Sequence, residues 1–354
     1  VAIGERHHPT MPANDVIATV EGLDDLLSAP SPGAVEALAG LEGDLVLLGA
    51  GGKMGPSLAR MARRASDAAG VRRRVIAVSR FGSGDAEARL RGQGVETVRC
   101  DLLDPAGLAA LPEAANVVWM AGLKFGTAAH ESRAWALNAW LPGAVCQRYR
   151  SSRVVAFSTG NVYGLTPVAH GGSVEDDPPR PVGEYAQSCL GRERVVEHFS
   201  RTLGVPVVLL RLNYACELRY GVLADVARKV AAGEPIDLAM GHFNALWQGD
   251  ANAWALEAFA RTATPPRVLN LAGPELLSVR RVAEGFGRLL GRPAILRGAE
   301  LADAFLSNSQ QAVRLFGYPR VGVRQMMEWV AHWVRIGGPS LEKPTHFEVR
   351  DGRY

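Results

Sequence analysis

From Gly43 onward, short apolar runs alternate with stretches of helical spacing. DLVLLG reads as a buried strand, and Lys53 to Ala69 carries apolar residues at the interval of an amphipathic helix. RRVIAVS, VETVRCD, NVVWMAG, VVAFSTG and VPVVLLRL read as five further strands, with helical patterns between most of them. Short unalternating apolar runs separated by helices predict a parallel sheet covered on both faces.

Outside that stretch the pattern changes. Val16, Ile17 and Val20, then Leu26 and Leu27, have helical spacing before a Pro-Ser-Pro-Gly break at Pro30 to Gly33. Residues 1–42 are therefore expected to form an extension that packs on the core. Beyond about Asn213 the alternation loosens. Leu223 to Ala232, Asn252 to Thr262 and Val279 to Leu290 predict helices, and RVLNLAG at 267–273 is expected to return to the sheet. The predicted organisation is a sheet domain over 43–212, a smaller lobe over 213–335 and an ordered or partly ordered surface tail over 336–354, whose turn residues have no period.

Composition narrows the class. The chain has 354 residues, of which 47% are hydrophobic and 21% charged, which suits a soluble globular fold. A formal charge of +3 gives no case for a nucleic-acid partner. The basic triplet Arg72 to Arg74 reads as the solvated start of a strand. No run is long enough to span a membrane, and no signal peptide is expected. Cys100, Cys146, Cys189 and Cys216 form no CxxC pair, so a disulfide framework or cysteine-based zinc site is not expected and the cytoplasm fits best. Residues ahead of Met11, with His7 and His8, read as a start-site ambiguity or an added leader.

The first strand-to-helix junction, GAGGKMG, spaces Gly49, Gly52 and Gly55 as GxxGxxG. Such a turn lets a backbone approach a pyrophosphate closely, and the following helix offers unpaired N–H groups to the phosphates. The second strand ends in Ser79-Arg80 rather than an acidic residue. An acid there holds a ribose 2′-hydroxyl and a basic residue suits a 2′-phosphate, so NADP is preferred to NAD, with Lys53 as a further cation. Asp101-Leu102, closing the third strand, is placed to meet the adenine.

EYAQSCLGRERVVEHF, Glu184 to Phe199, predicts an amphipathic helix with Tyr185 and Cys189 on one face. Together these segments resemble the extended short-chain dehydrogenase/reductases, the NAD-dependent epimerase/dehydratase family, over most of 44–335. GAGGKMG resembles the family's glycine loop, and Ala121-Gly122-Leu123-Lys124 its segment after the fourth strand. Asn138 resembles its structural asparagine, FSTGNVYG its SSxxVYG segment and EYAQSCLGRE its YxxxK helix. WQGDAN, with Asp250, resembles the family's late V-x-D segment. The resemblance implies a Rossmann-like doubly wound sheet with a smaller C-terminal α/β substrate lobe.

It further implies that Gly49, Gly52, Lys53, Met54, Gly55, Ser79, Arg80, Asp101, Leu102, Ala121, Gly122, Lys124 and Tyr185 bind the cofactor. Tyr185 and Thr159 are implied as catalytic, and Lys124, Asn161 and Asn213 as substrate contacts. The implied activity is oxidoreduction or epimerisation of a sugar, nucleotide sugar or sugar-like polyol. A homodimer is also implied, with Trp135 and Trp140 available to an interface.

One position departs from the family: Cys189 stands where YxxxK has lysine. Free tyrosine, with a pKa near 10, is only about 0.1% phenolate at neutral pH, and a neighbouring cation raises that share. A neutral thiol supplies no charge. Three readings follow. Lys124 or Arg192 replaces the lysine; or the chemistry uses other acid and base groups, with Cys189 as thiolate or Tyr185 solely as a proton donor; or the protein is a nucleotide-binding pseudoenzyme, a sensor or scaffold.

Overall fold

The computed structural model describes residues 17–82, 85–124, 130–343 and 345–353. His7, His8 and the first part of the N-terminal extension lie outside the described residues.

Seven strands form one sheet: β1 (Leu45–Leu48), β2 (Val75–Ser79), β3 (Glu96–Arg99), β4 (Asn116–Trp119), β5 (Arg153–Thr159), β6 (Val207–Leu212) and β7 (Arg267–Leu271). All pair in parallel, in the order β7-β6-β5-β4-β1-β2-β3. Leu45 lies opposite both Val75 and Asn116, so β1 is the centre from which the chain order runs outward in two directions. The crevice beyond the carboxyl ends of β1 and β4 is the switch point where ligands bind in such sheets.

Successive residues of β1 feed different cores. Leu45 and Leu47 pack with Leu58 and Met61 of the Gly55–Ala68 helix, while Val46 and Leu48 pack with Leu141 and Val145 of the Leu141–Arg148 helix. Both faces are therefore apolar and covered, as an unalternating strand requires. The fold is a Rossmann-like doubly wound α/β sheet. A third core lies in the C-terminal part, where Phe243, Trp247, Phe286 and Trp329 gather between the Val222–Ala232, Val279–Leu290 and Val323–Arg335 helices.

The N-terminal segment forms two helices, Val20–Leu27 and Pro32–Ala39. The Pro-Ser-Pro-Gly stretch is the start of the second helix rather than only a break. Ser31 Oγ accepts the Ala34 N–H at 2.9 Å and donates to Glu257 at 2.8 Å, with Pro32 in the first turn. Leu38 reaches the sheet core, and Leu23 and Leu27 reach the C-terminal core.

The tail is an ordered segment, largely at the surface and held by a few buried residues. The Leu341 N–H donates to Arg219 O at 3.2 Å, Thr345 Oγ1 donates to Asp225 at 2.6 Å, and Phe347 is buried beside Phe243. These contacts are to residues far away in the chain, so no local period announces them.

Candidate functional site

A cavity of about 680 Å³ opens beyond the carboxyl ends of β1, β4, β5 and β6. The loop after β1 forms one side. Gly49 has φ +93°, and a Cβ there would lie 2.6 Å from Ala121 N. At Gly55 a Cβ would lie 2.2 Å from Ala50 O, because helix and loop close on each other. Both glycines are required by the fold. Gly52 is different: its Cβ would meet only Gly49 O, at 3.5 Å, an ordinary contact. The chain itself leaves room at Gly52, where the loop faces the cavity.

The Gly55–Ala68 helix begins at the same place with no side chain capping its first turn. Its N-terminal N–H groups and dipole suit a phosphate. The glycine loop and this helix start thus fit a dinucleotide's pyrophosphate. Lys53 extends from the loop across the cavity, donating to Ala215 O at 2.7 Å with its ammonium 4.2 Å from the Tyr220 ring centre. Loss of water lowers its pKa to about 8, an effect that Glu217 opposes.

At the cavity's far side, β5 ends at Thr159 and the Gly183–Leu203 helix brings in Tyr185. The Thr159 hydroxyl and the Cys189 thiol both stand near enough to the Tyr185 phenol to act on its pKa. Thr159 Oγ1 accepts the Asn161 N–H at 3.2 Å and lies 3.1 Å from Asn161 Oδ1. Burial pushes the phenol well above its ordinary pKa and Cys189 adds to this, while Arg192 and Thr159 oppose it. The balance holds the phenol neutral.

Cys189 is fully buried, packed with Val162 and Tyr163, and does not line the cavity. Desolvation raises its pKa, so the thiol stays protonated. Two cations stand nearby. Lys124 has its ammonium 5.8 Å from the Tyr185 ring centre, and desolvation holds its pKa at about 8. Arg192, two turns along the same helix, is fixed by Phe157 O at 2.7 Å, Asn138 Oδ1 at 3.0 Å and Asn138 O at 3.1 Å.

Asn138 ties these parts together. It sits in a π-helical turn, Ala136–Trp140, that turns its amide inward. It accepts the Leu123 N–H at 2.9 Å and donates to Leu123 O at 2.9 Å and Ser188 Oγ at 3.0 Å. The loop carrying Lys124 is thereby stitched to the helix carrying Tyr185. Behind Thr159, Ser158 donates to Glu193 at 2.6 Å, and Glu193 pairs with Arg211 at 2.7 Å in a fully enclosed network.

The cavity gathers Gly49, Gly52, Lys53 and Met54 on one side, Ala121, Gly122 and Lys124 between, and Thr159, Asn161, Tyr185 and Asn213 opposite. Other residues singled out from the sequence lie elsewhere. Gly55 is inside the helix start, and the Leu102 side chain is buried in the sheet core. Ser79 is partly buried at the end of β2, and exposed Arg80 faces Asp101 with 4.0 Å between guanidinium and carboxylate. Asp250 is a buried partner of Arg320 at 3.0 Å and does not line the cavity.

The lining residues that escaped the sequence reading include Tyr220, Glu342, Lys343 and His346. Tyr220 lies where the alternation has loosened, and the other three lie in the aperiodic tail. Among the described residues, no group of three or more His, Cys, Asp or Glu is placed to hold a metal ion, and no helix is long and apolar enough to cross a membrane.

A doubly wound parallel sheet with a glycine turn at its switch point defines a nucleotide-binding architecture. The model of the NAD dependent epimerase/dehydratase family matches residues 45–247, more than half of the chain, and the chain belongs to that family. No curated protein matches it. Among solved structures it is similar to MoeE5 in complex with UDP-glucuronic acid and NAD, at 22% identity and TM-score 0.65, covering 83% of this chain and 99% of the other. It is similar to the UDP-glucuronic acid 4-epimerase of Bacillus cereus in complex with UDP-glucuronic acid and NAD, at 16% identity and TM-score 0.67, covering 82% and 99%. It is also similar to the UDP-glucose 4-epimerase of Thermotoga maritima with UDP-glucose, at 15% identity and TM-score 0.67, covering 82% and 98%. At these identities the likeness establishes the fold.

Proposed function

We propose that the protein is an NAD(P)-dependent oxidoreductase or epimerase acting on a nucleotide sugar, with Tyr185 as the proton-transfer group. The observation that carries this reading is that Tyr185 and Thr159 line one cavity together with the glycine loop. Similarity to proteins solved with UDP-glucuronic acid and UDP-glucose favours a nucleotide sugar over a free polyol.

The dinucleotide supplies the hydride acceptor or donor. The Gly49–Gly55 loop and the helix start hold its pyrophosphate, Gly52 leaving space for close approach. Ser79 and Arg80 read its ribose, and Arg80 favours NADP. Thr159 holds the reacting oxygen of the sugar, and Asn161 fixes the Thr159 hydroxyl. In the reducing direction Tyr185 gives its proton to the oxygen of a sugar carbonyl. In the oxidising direction the phenol must first lose that proton, and Arg192 is the fixed positive charge that favours the loss. Lys124, over the ring, adds a second cation in place of the missing lysine, while Cys189 is packing. Four free cysteines favour a reducing cytoplasm, and exposed Trp135 and Trp140 are available to a homodimer.

The test adds NADP and NAD separately to the purified protein, then UDP-glucose or UDP-glucuronic acid, and follows the reduced-nicotinamide absorbance. Growth of that band with one sugar supports oxidoreduction. Tight dinucleotide binding without hydride transfer to any nucleotide sugar would favour the scaffold reading, which the protonated Cys189 at the lysine position motivates.

A further inference from the structure

The C-terminal segment crosses the mouth of the cavity between two fixed points. On the C-terminal lobe, Leu341 donates to Arg219 O, while the Thr345 N–H and hydroxyl donate to Asp225 at 2.8 and 2.6 Å. Phe347 plugs into the third core, and Lys229 pairs with Glu348. At the other end the chain meets the helix that carries Tyr185. Gly183, with φ +79°, would place a Cβ 2.4 Å from Gly352 O, so this glycine admits the tail's backbone. Among the lobe anchors, Glu342, Lys343 and His346 line the cavity.

The backbone there is unusual. Four non-glycine residues among those described have positive φ: Phe81, Tyr214, Glu342 and His346. The last three line the cavity. Left-handed conformations of side-chain-bearing residues are costly and cluster where a site holds them. Here two of them bracket Lys343 and aim the tail at the cavity.

Among the described residues, the lining cations Lys53, Lys124, Arg192 and Lys343 outnumber the one lining acid, Glu342. Lys343 and His346 approach from the tail, and Lys53 approaches from the glycine loop beside Tyr220. Glu217, the acid that acts on Lys53, is itself paired with Arg219 at 3.0 Å. Lys53 and Lys343 stand on different segments around one opening, a disposition suited to a multivalent oxyanion.

We propose that the tail, through Lys343 and His346, joins Lys53 in a substrate subsite for an oxyanion, either the diphosphate of a nucleotide sugar or the carboxylate of a sugar acid. This rests on the proposed function in that the oxyanion belongs to the molecule presented to Tyr185. The subsite makes the C-terminal segment part of the binding site.

The experiment titrates UDP (diphosphate without the second sugar) and glucuronate (carboxylate without a nucleotide) into the full chain saturated with its dinucleotide. The same titrations are made on Lys343→Gln and on the double variant Lys343→Gln/His346→Gln. Binding of UDP alone identifies the diphosphate, and binding of glucuronate alone the carboxylate. For whichever probe binds, the double variant is expected to weaken affinity about tenfold or more, one charge-assisted contact being worth about that factor. Dinucleotide affinity is expected to hold, which separates the effect from unfolding. Unchanged probe affinity in the double variant, or no binding of either probe to the parent protein, overturns the proposal. If the variants weaken probe binding but no nucleotide sugar undergoes hydride transfer, the subsite stands and the catalytic reading fails.

Discussion

The Lys124 ammonium lies 5.8 Å from the centre of the Tyr185 ring, brought there by a different loop from the helix position that holds Cys189. A cation thus stands beside the Tyr185 ring although the helix carries Cys189 four residues after Tyr185. Lys124 faces the ring, and Arg192 is anchored two turns along the helix.

Replacing Tyr185 by Phe removes only the phenolic hydroxyl from the cavity wall. Turnover is expected to fall by about 10²–10⁴, the usual worth of a positioned proton donor. Dinucleotide affinity, measured by titration, should change little, because the glycine loop is untouched.

The two amines set an alkaline limit. Lys53 and Lys124 both have pKa values lowered to about 8, whereas the phenol is raised well above 10. A lowered amine loses its charge as pH rises through that value, so kcat/KM is expected to fall above about pH 8. Lys124→Met should give a lower profile with a shallower alkaline limb. An unchanged limb in both Lys124→Met and Lys53→Met would place the ionisation elsewhere.

Gly52 and Gly55 separate binding from folding. Gly55→Ala puts a Cβ 2.2 Å from a backbone oxygen and should lower stability in denaturant by about 3 kcal/mol or more. Gly52→Ala meets no such obstacle and should fold normally, yet lose dinucleotide affinity. Retained affinity in Gly52→Ala would move the pyrophosphate away from this loop.

Cys189→Ala is expected to cost about 1 kcal/mol of stability, as for a small loss of buried packing, with turnover kept within a few fold. Loss of turnover on the scale of Tyr185→Phe would make the thiol a chemical participant.

Much of this was legible in the sequence because it is local. The strands are apolar runs such as LVLL, the glycine loop is contiguous, and Tyr185 and Cys189 share a helix face. Thr159, Lys124 and Asn213 follow strands, so the sheet alone delivers them to one edge. Other features depend on distant partners. Lys53 looked like a phosphate cation, but its reach to Ala215 and Tyr220 depends on a turn far along the chain. The tail's place follows from Phe347 against Phe243 and Arg350 against Asp303, contacts that leave no period in a segment of turn residues.

The most direct test of the account follows the hydride. A nucleotide sugar deuterated at the reacting carbinol carbon is mixed with the protein and its dinucleotide, and the cofactor is recovered for mass analysis. The account predicts deuterium in the nicotinamide with the parent protein and very little with Tyr185→Phe over the same time. Equal labelling in both would remove Tyr185 from the chemistry, and an absence of label despite tight binding of sugar and dinucleotide would contradict hydride transfer itself.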